Sequence, residues 1–99
     1  MEQEKAKRLL KPRSVEVHYP EQMNINYSNR VQLFVSNSDI IFDFFMTEPA
    51  STAKTPKAIF QTRVIMSPQH AKQFSRILGE NIGKYEEMFG PISTAPIKK

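Results

Sequence analysis

The segment DIIFDFFM, residues 39–46, carries bulky apolar residues at both parities of a strand's alternation. Successive side chains of a β-strand point to opposite faces of the sheet, so the even-numbered residues share one face and Ile41 and Phe45 lie on the other. A chain of 99 residues has room for one compact domain. The segment therefore predicts a central strand whose second face needs a cover of its own.

Composition excludes several classes of protein. The sequence has no cysteine, so a disulfide framework and a thiolate metal site are excluded. Its start, MEQEKAKRLL, is too charged for a signal peptide, and no apolar run approaches the roughly 20 residues that span a bilayer. We therefore expect a cytoplasmic protein without a membrane partner.

The net charge of +4 lies in the ends of the chain. Residues 14–97 hold seven Lys/Arg and eight Asp/Glu, so the body itself is slightly acidic. We predict a basic, flexible N-terminal tail at 1–13, a single domain at 14–92 and a disordered C-terminal tail at 93–99. Such tails are either solvated elements or arms that touch phosphate or a membrane. The cations considered for contact in the first tail are Lys5, Arg8, Lys11 and Arg13.

Alternation of apolar and polar residues predicts four strands. They are SVEVHYP (14–20), RVQLFVS (30–36), DIIFDFFMT (39–47) and AIFQTRVIM (58–66). The polar segment 21–29 is expected to be a loop, 36–39 a tight turn that uses the tolerance of Asn37 for positive φ, and 48–57 a mobile hairpin loop.

The apolar period then changes to that of a helix. Ser67 is a predicted N-cap with Pro68 at the first helical position, and Gly90 followed by Pro91 is a helix stop. Apolar residues at three- and four-residue steps between them form one stripe. The predicted fold is α+β: a four-stranded antiparallel meander sheet with one C-terminal amphipathic helix (ββββα), assembled as a dimer.

The turns predict the strand registers. A two-residue loop at Asn37-Ser38 pairs Ser36 with Asp39, and the long hairpin sets Asp43 opposite Arg63. Both registers put large apolar groups on the same side, under the helix. The predicted core comprises Val31, Leu33, Val35, Phe42, Phe44, Val64, Phe74, Leu78, Ile82 and Tyr85.

The opposite face of the sheet is left without a cover. Three covers remain open: the N-terminal segment of the same chain, a second copy of the chain, and a ligand or nucleic acid. We favour a second copy, because a patch of several hundred Å² is about the upper limit on monomers. The predicted oligomer interface consists of Phe34, Ile41, Phe45, Ile59 and Ile65.

Asp43 allows two interpretations. It could be a catalytic carboxylate, or it could pair across strands with Arg63, steadied by Gln32, and so fix the register. We favour the pair, because no second carboxylate or histidine can be placed beside it.

Residue patterns for catalysis or metal binding are missing. His18 and His70 have no metal-ligand spacing, and the three glycines form no phosphate-binding loop. Gly79 and Gly83 stand inside the predicted helix, where a close neighbour or chance tolerance would account for them. We predict no catalytic, cofactor-binding or metal-binding residue, and a non-enzymatic binding or assembly module of unknown partner.

Three segments together resemble one family. YSN (27–29), VQLFVSNSDIIFDFF (31–45) and RVIMSPQHAKQFSRILGENIGKYEEMFGPI (63–92) are similar to a small bacterial and archaeal family, domain of unknown function 3467. The resemblance covers roughly residues 27–92. It implies the fold and supplies no activity.

A second, weaker likeness is of topology alone. A meander sheet with a C-terminal helix, paired as a dimer, resembles the Pur-alpha and Whirly single-strand-binding folds. The alternative function is therefore single-stranded nucleic-acid binding through the sheet face and the basic tails. Its predicted contacts in the body of the chain are Tyr27, Arg30, Phe34, Phe45 and Arg63.

Overall fold

The computed structural model describes residues 14–48 and 55–94. They form strands β1 (Arg30–Val35), β2 (Ile40–Thr47) and β3 (Ala58–Met66), followed by helix α1 (Pro68–Phe89). The strands make one antiparallel sheet in the order β1-β2-β3. The α+β class, the meander order of these strands and the C-terminal helix are confirmed. The predicted tail 1–13, most of the predicted hairpin loop and residues 95–99 lie outside the described residues.

The sheet of the described residues has three strands, not four. The predicted first strand, residues 14–20, has no regular secondary structure. Its apolar side chains Val15, Val17 and Tyr19 are 80%, 67% and 78% exposed. Alternation makes a segment suitable for a strand, but a strand forms only where another strand accepts its hydrogen bonds. This segment does not pair with any strand that the structure describes.

The β1–β2 hairpin has the predicted register. The Ser36 amide donates to the Asp39 carbonyl over 2.9 Å, and Leu33 pairs with Phe42. No non-glycine residue of the described chain has positive φ, so the expected use of Asn37 is wrong. The Ser36 hydroxyl oxygen instead accepts from the amides of Ser38 and Asp39, which closes the turn.

The β2–β3 pairing also has the predicted register up to an irregularity. Asp43 pairs with Arg63 and Phe44 with Thr62, but Phe45 then pairs with Phe60. Gln61 is the extra residue of a β-bulge, and beyond a bulge the alternation of faces is shifted by one.

Helix α1 begins and ends as predicted. The Ser67 hydroxyl oxygen accepts from the His70 amide over 3.2 Å, and Pro68 occupies the first turn. At the other end Gly90 has φ 96°, a conformation that favours glycine, and its amide donates to the Glu86 carbonyl over 2.8 Å.

The helix covers one face of the sheet only in part. The Phe74 ring meets the Phe42 ring edge-on at 6.0 Å, and an open groove of about 430 Å³ runs beside them between sheet and helix. We call this side of the sheet the helix face; its members are Val31, Leu33, Val35, Ile40, Phe42, Phe44, Val64 and Met66.

The predicted core residues share this side, yet they do not form a sealed core. No apolar residue of the described chain is buried. Leu33 is 53% exposed, and Ile82 and Tyr85 on the second half of α1 are 41% and 51% exposed. The registers are therefore correct, whereas the predicted stripe meets the sheet only in the first half of α1, through Phe74 and Leu78.

Candidate assembly surface

The other side of the sheet, which we call the Asp43 face, has an ion pair at its centre. Arg63 donates from Nε to Asp43 Oδ1 over 2.7 Å and from Nη2 to Oδ2 over 2.9 Å. This bidentate geometry is the strong form of an arginine–carboxylate contact. Asp43 is 5% exposed and is the single buried residue of the described chain, whereas the Arg63 side chain is 52% exposed.

The ion pair shifts both groups towards their charged forms. Hydrogen bonding from Arg63 lowers the pKa of Asp43; desolvation opposes this shift, and the guanidinium charge adds to it. The same hydrogen bond, followed by the carboxylate charge, raises the pKa of Arg63. Gln32 pairs with Asp43 in the register, but its side chain makes no hydrogen bond among the described residues. The predicted steadying by Gln32 is therefore absent.

Large apolar side chains surround this pair. Phe34 pairs with Ile41, Ile41 with Ile65, and Arg30 with Phe45, which places all of them on the Asp43 face. Phe34 is 49% and Ile65 58% exposed, while Ile41 and Phe45 are half-buried. The register thus brings together four of the five residues predicted for an interface.

Ile59 is the exception. The bulge at Gln61 pairs Ile59 with Met46, so Ile59 lies on the opposite side from Phe45. Phe60 takes its place, and its ring packs edge-on against the Phe45 ring at 5.9 Å. Strict alternation from Arg63 cannot foresee this exchange, because a bulge leaves no mark in the apolar pattern.

The residues considered for nucleic acid are divided. Arg30, Phe34 and Phe45 lie on the Asp43 face. Tyr27, 77% exposed, belongs to the segment before β1, and Arg63 is held by Asp43. Lys5, Arg8, Lys11 and Arg13 lie outside the described residues.

A clamp that sequence reasoning missed joins β1 to the end of β2. The Asn29 side chain donates to the Thr47 carbonyl over 3.2 Å and accepts from the Thr47 amide over 2.7 Å. Ser28 Oγ donates to the Phe45 carbonyl over 3.0 Å. An Asn directly before a strand is the available signal, since its amide can imitate one more peptide unit.

The segment before that clamp, residues 14–27, is named the arm. All its apolar side chains are more than half exposed, from Met23 at 54% to Ile25 at 81%. One contact ties the arm to β3: Gln61 Nε2 donates to the Tyr27 carbonyl over 2.7 Å. The oxygen of the same side-chain amide, Gln61 Oε1, is buried and has no hydrogen-bond partner among the described residues.

The second half of the arm, which was predicted to be a loop, continues the alternation of the predicted first strand. Met23, Ile25 and Tyr27 continue the odd-numbered apolar positions of Val15, Val17 and Tyr19, with Glu21 as the interruption. Asparagines at even positions hid this alternation, because they are depleted in strands.

Other chemistry is sparse in the part of the chain that the structure describes. It contains no group of three metal-ligating side chains and no helix that could cross a membrane. His18 Nε2 lies 3.5 Å from Glu16 Oε2, both exposed on the arm. The His70 backbone amide donates to the N-cap hydroxyl of Ser67. An added Cβ at Gly79 or Gly83 would touch nothing within 4 Å, so no close neighbour among the described residues explains either glycine.

Comparison with known proteins identifies the family and no nearer relative. No curated protein and no solved structure matches the chain. A family model described as "Protein of unknown function (DUF3467)" matches residues 1–94, which extends the resemblance seen in residues 27–92 through the arm to the first residue. The chain therefore belongs to the DUF3467 family.

Proposed function

We propose that the chain is a non-enzymatic assembly module that acts as a homodimer through its Asp43 face. One observation carries the proposal: among the described residues a carboxylate is buried and no apolar side chain is. Burial of apolar surface is the dominant favourable term in folding, and it has to offset a large loss of conformational entropy. A single copy with two half-open faces gains only part of that burial, and a second copy on the Asp43 face adds to it.

The Asp43 face suits contact with a second copy of itself. Apolar side chains surround an ion pair on this face, and the two charges of that pair offset each other within one chain. Neutral, aromatic-rich centres are typical of dimer interfaces. A two-fold axis through such a patch brings the same residues together from both copies. The absence of cysteine from the sequence fits a cytoplasmic setting.

Light scattering at tens of micromolar tests the proposal with two neighbouring variants. Phe34→Asp places a charge on the Asp43 face and is expected to give monomers. Val35→Asp is the matched control, because Val35 is the next residue, lies on the helix face and is 75% exposed. A parent that is already monomeric contradicts the dimer. A Phe34→Asp variant that stays dimeric contradicts the choice of face.

Single-stranded nucleic-acid binding is the second candidate. It is favoured by Arg30 and Phe45, which pair on the Asp43 face and put a cation beside a ring. A titration of fluorescent single-stranded DNA and RNA at increasing salt tests it, with Phe34→Ala against Val35→Ala. Steeply salt-dependent binding that only Phe34→Ala removes supports this candidate. Absence of binding at low salt contradicts it.

A further inference from the structure

We propose that the arm docks on a second copy of the chain, where residues 14–20 add as a fourth strand to the outer edge of β3. The inference rests on the proposed homodimer and says how its two copies hold each other. The fourth strand expected from the sequence then exists, but it is supplied by the partner.

The arm has the residue pattern of a strand but is not paired as a strand with the described residues of its own chain. Apolar residues occupy its odd positions and polar residues its even ones, which is the pattern of a half-buried strand. Yet Val15 is 80% exposed, and the whole segment is without a pairing partner among the described residues. The family match includes these residues, so the arm is part of the family's domain.

The arm leaves its own sheet at a fixed point. The Asn29 clamp and the contact from Gln61 to the Tyr27 carbonyl hold its base at the end of β2 and β3. Upstream of that base, a bend at residues 21–22 separates two halves without regular secondary structure. The base is thus anchored, while the outer half, residues 14–20, is exposed and unpaired among the described residues.

The outer edge of β3 is the proposed docking site for the arm. β3 is nine residues long, contains no proline, and in the sheet of residues 14–48 and 55–94 pairs on one side only. A long, apolar strand edge of this kind is a template for another strand, and native proteins commonly cover it. The edge of β1 is shorter, with six residues. Docking on β3 also carries apolar arm residues towards the half-open helix face.

A second ion pair with Arg63 sets the register proposed for the docked arm on β3. Arg63 uses two of its five N–H groups on Asp43, and its side chain is 52% exposed, so donors remain for a second carboxylate. Glu16 of an arriving arm supplies one on the Asp43 face. In an antiparallel pairing with Glu16 opposite Arg63, Val17 lies opposite Thr62 and Val15 opposite Val64. Both valines then extend the helix face.

A mixed disulfide tests this placement directly, because the parent chain has no cysteine. Val17→Cys and Thr62→Cys are made as separate single variants, mixed as reduced dimers to allow exchange, and then oxidised. A bridge between residues 17 and 62, mapped by mass spectrometry, can form in this mixture only between chains. A mixture of Val17→Cys with Val35→Cys is the control, since Val35 lies on the far strand, and it is expected to give no bridge.

A pair of arm variants gives a second measurement. Val17→Asp is expected to raise the dimer Kd about tenfold or more, through the loss of one buried valine. His18→Gln, a neutral polar change at the neighbouring position of opposite parity, is expected to leave the dimer Kd nearly unchanged.

The outcomes separate the two proposals. A dimeric parent without the 17–62 bridge overturns the docked arm and leaves the assembly function standing. A 17–62 bridge found only within single chains of a double-cysteine variant also overturns it, since the arm then covers its own edge. A monomeric parent overturns both.

Discussion

The sheet and the arm share an alternating apolar pattern, but they differ in pairing and in burial. β2 is paired on both sides, and its residues are half-buried or better. The arm has six apolar residues at alternate positions, all of them more than half exposed. The difference lies in the turns: a two-residue loop delivers β1 to β2, whereas the bend at 21–22 delivers the arm to no strand of its own chain. The alternating pattern favours a β-strand, whereas the connecting segment decides which strand is near enough to pair with it.

The largest expected difference between these regions is in the free energy of unfolding. Phe42→Ala removes a ring that packs on Phe44 at 6.3 Å and on Phe74 at 6.0 Å, and it should cost about 3 kcal/mol. Urea unfolding of dilute, monomeric protein measures it. Val15→Ala in the arm, under the same conditions, should change stability by less than about 0.5 kcal/mol. Equal losses would show that the arm packs within the chain.

The junction between sheet and arm should show an intermediate effect. Asn29→Ala removes two hydrogen bonds to Thr47 and should cost about 1–2 kcal/mol. Asn26→Ala is the matched control, because its side chain makes no hydrogen bond among the described residues and it stands in the arm. Chemical denaturation again reports both values. A loss at Asn26 as large as that at Asn29 would place the boundary of the folded unit further upstream.

A smaller effect is expected where the arm is tied to β3. Gln61→Ala removes the donor to the Tyr27 carbonyl and should cost about 1 kcal/mol or less, since one neutral hydrogen bond is lost. Hydrogen exchange should become faster at the arm's base while β2 amides keep their protection. Faster exchange throughout β2 would mean that Gln61 supports the sheet and not the arm.

The last prediction concerns the dependence of the fold's stability on pH. Because hydrogen bonding from Arg63 lowers the pKa of Asp43 in the fold, this pair contributes its full stability above the ordinary aspartate pKa of about 3.9. That contribution is lost as the pH falls through the lowered pKa. Asp43→Asn should flatten this part of the acid unfolding profile, followed by circular dichroism. An unchanged profile would assign acid sensitivity to other carboxylates.

The register of the first hairpin was predictable because two independent constraints agree. Turn length and apolar alternation both set Leu33 opposite Phe42, and a slip of one residue would have inverted every side chain. The long loop of the second hairpin fixes no register, and Asp43 was placed opposite Arg63 because this puts large apolar groups on the same side as the first hairpin does. Helix α1 was predictable from its cap, its stop and its stripe.

Other features depend on interactions that a pattern does not encode. Ile59 was placed on the wrong side because the bulge at Gln61 changes parity without changing composition. The fourth strand was expected within the chain because alternation is local, whereas the choice of pairing partner is not. The exposure of the predicted core residues was also missed, because an apolar stripe marks the side of a helix that can pack but not how much of its length meets the sheet.

The buried carboxylate in β2 also bears on aggregation. Without Asp43, the run IIFDFF would be a continuous apolar segment of high strand propensity, the kind that stacks into cross-β fibrils. In a parallel, in-register stack each Asp43 would sit about 4.8 Å above the next, like charge on like charge. In the native fold the same carboxylate is neutralised by Arg63. Asp43 thus stabilises the native strand pairing and destabilises a fibrillar pairing of the same strand. It acts as a gatekeeper, a charged residue that opposes the aggregation of an apolar segment.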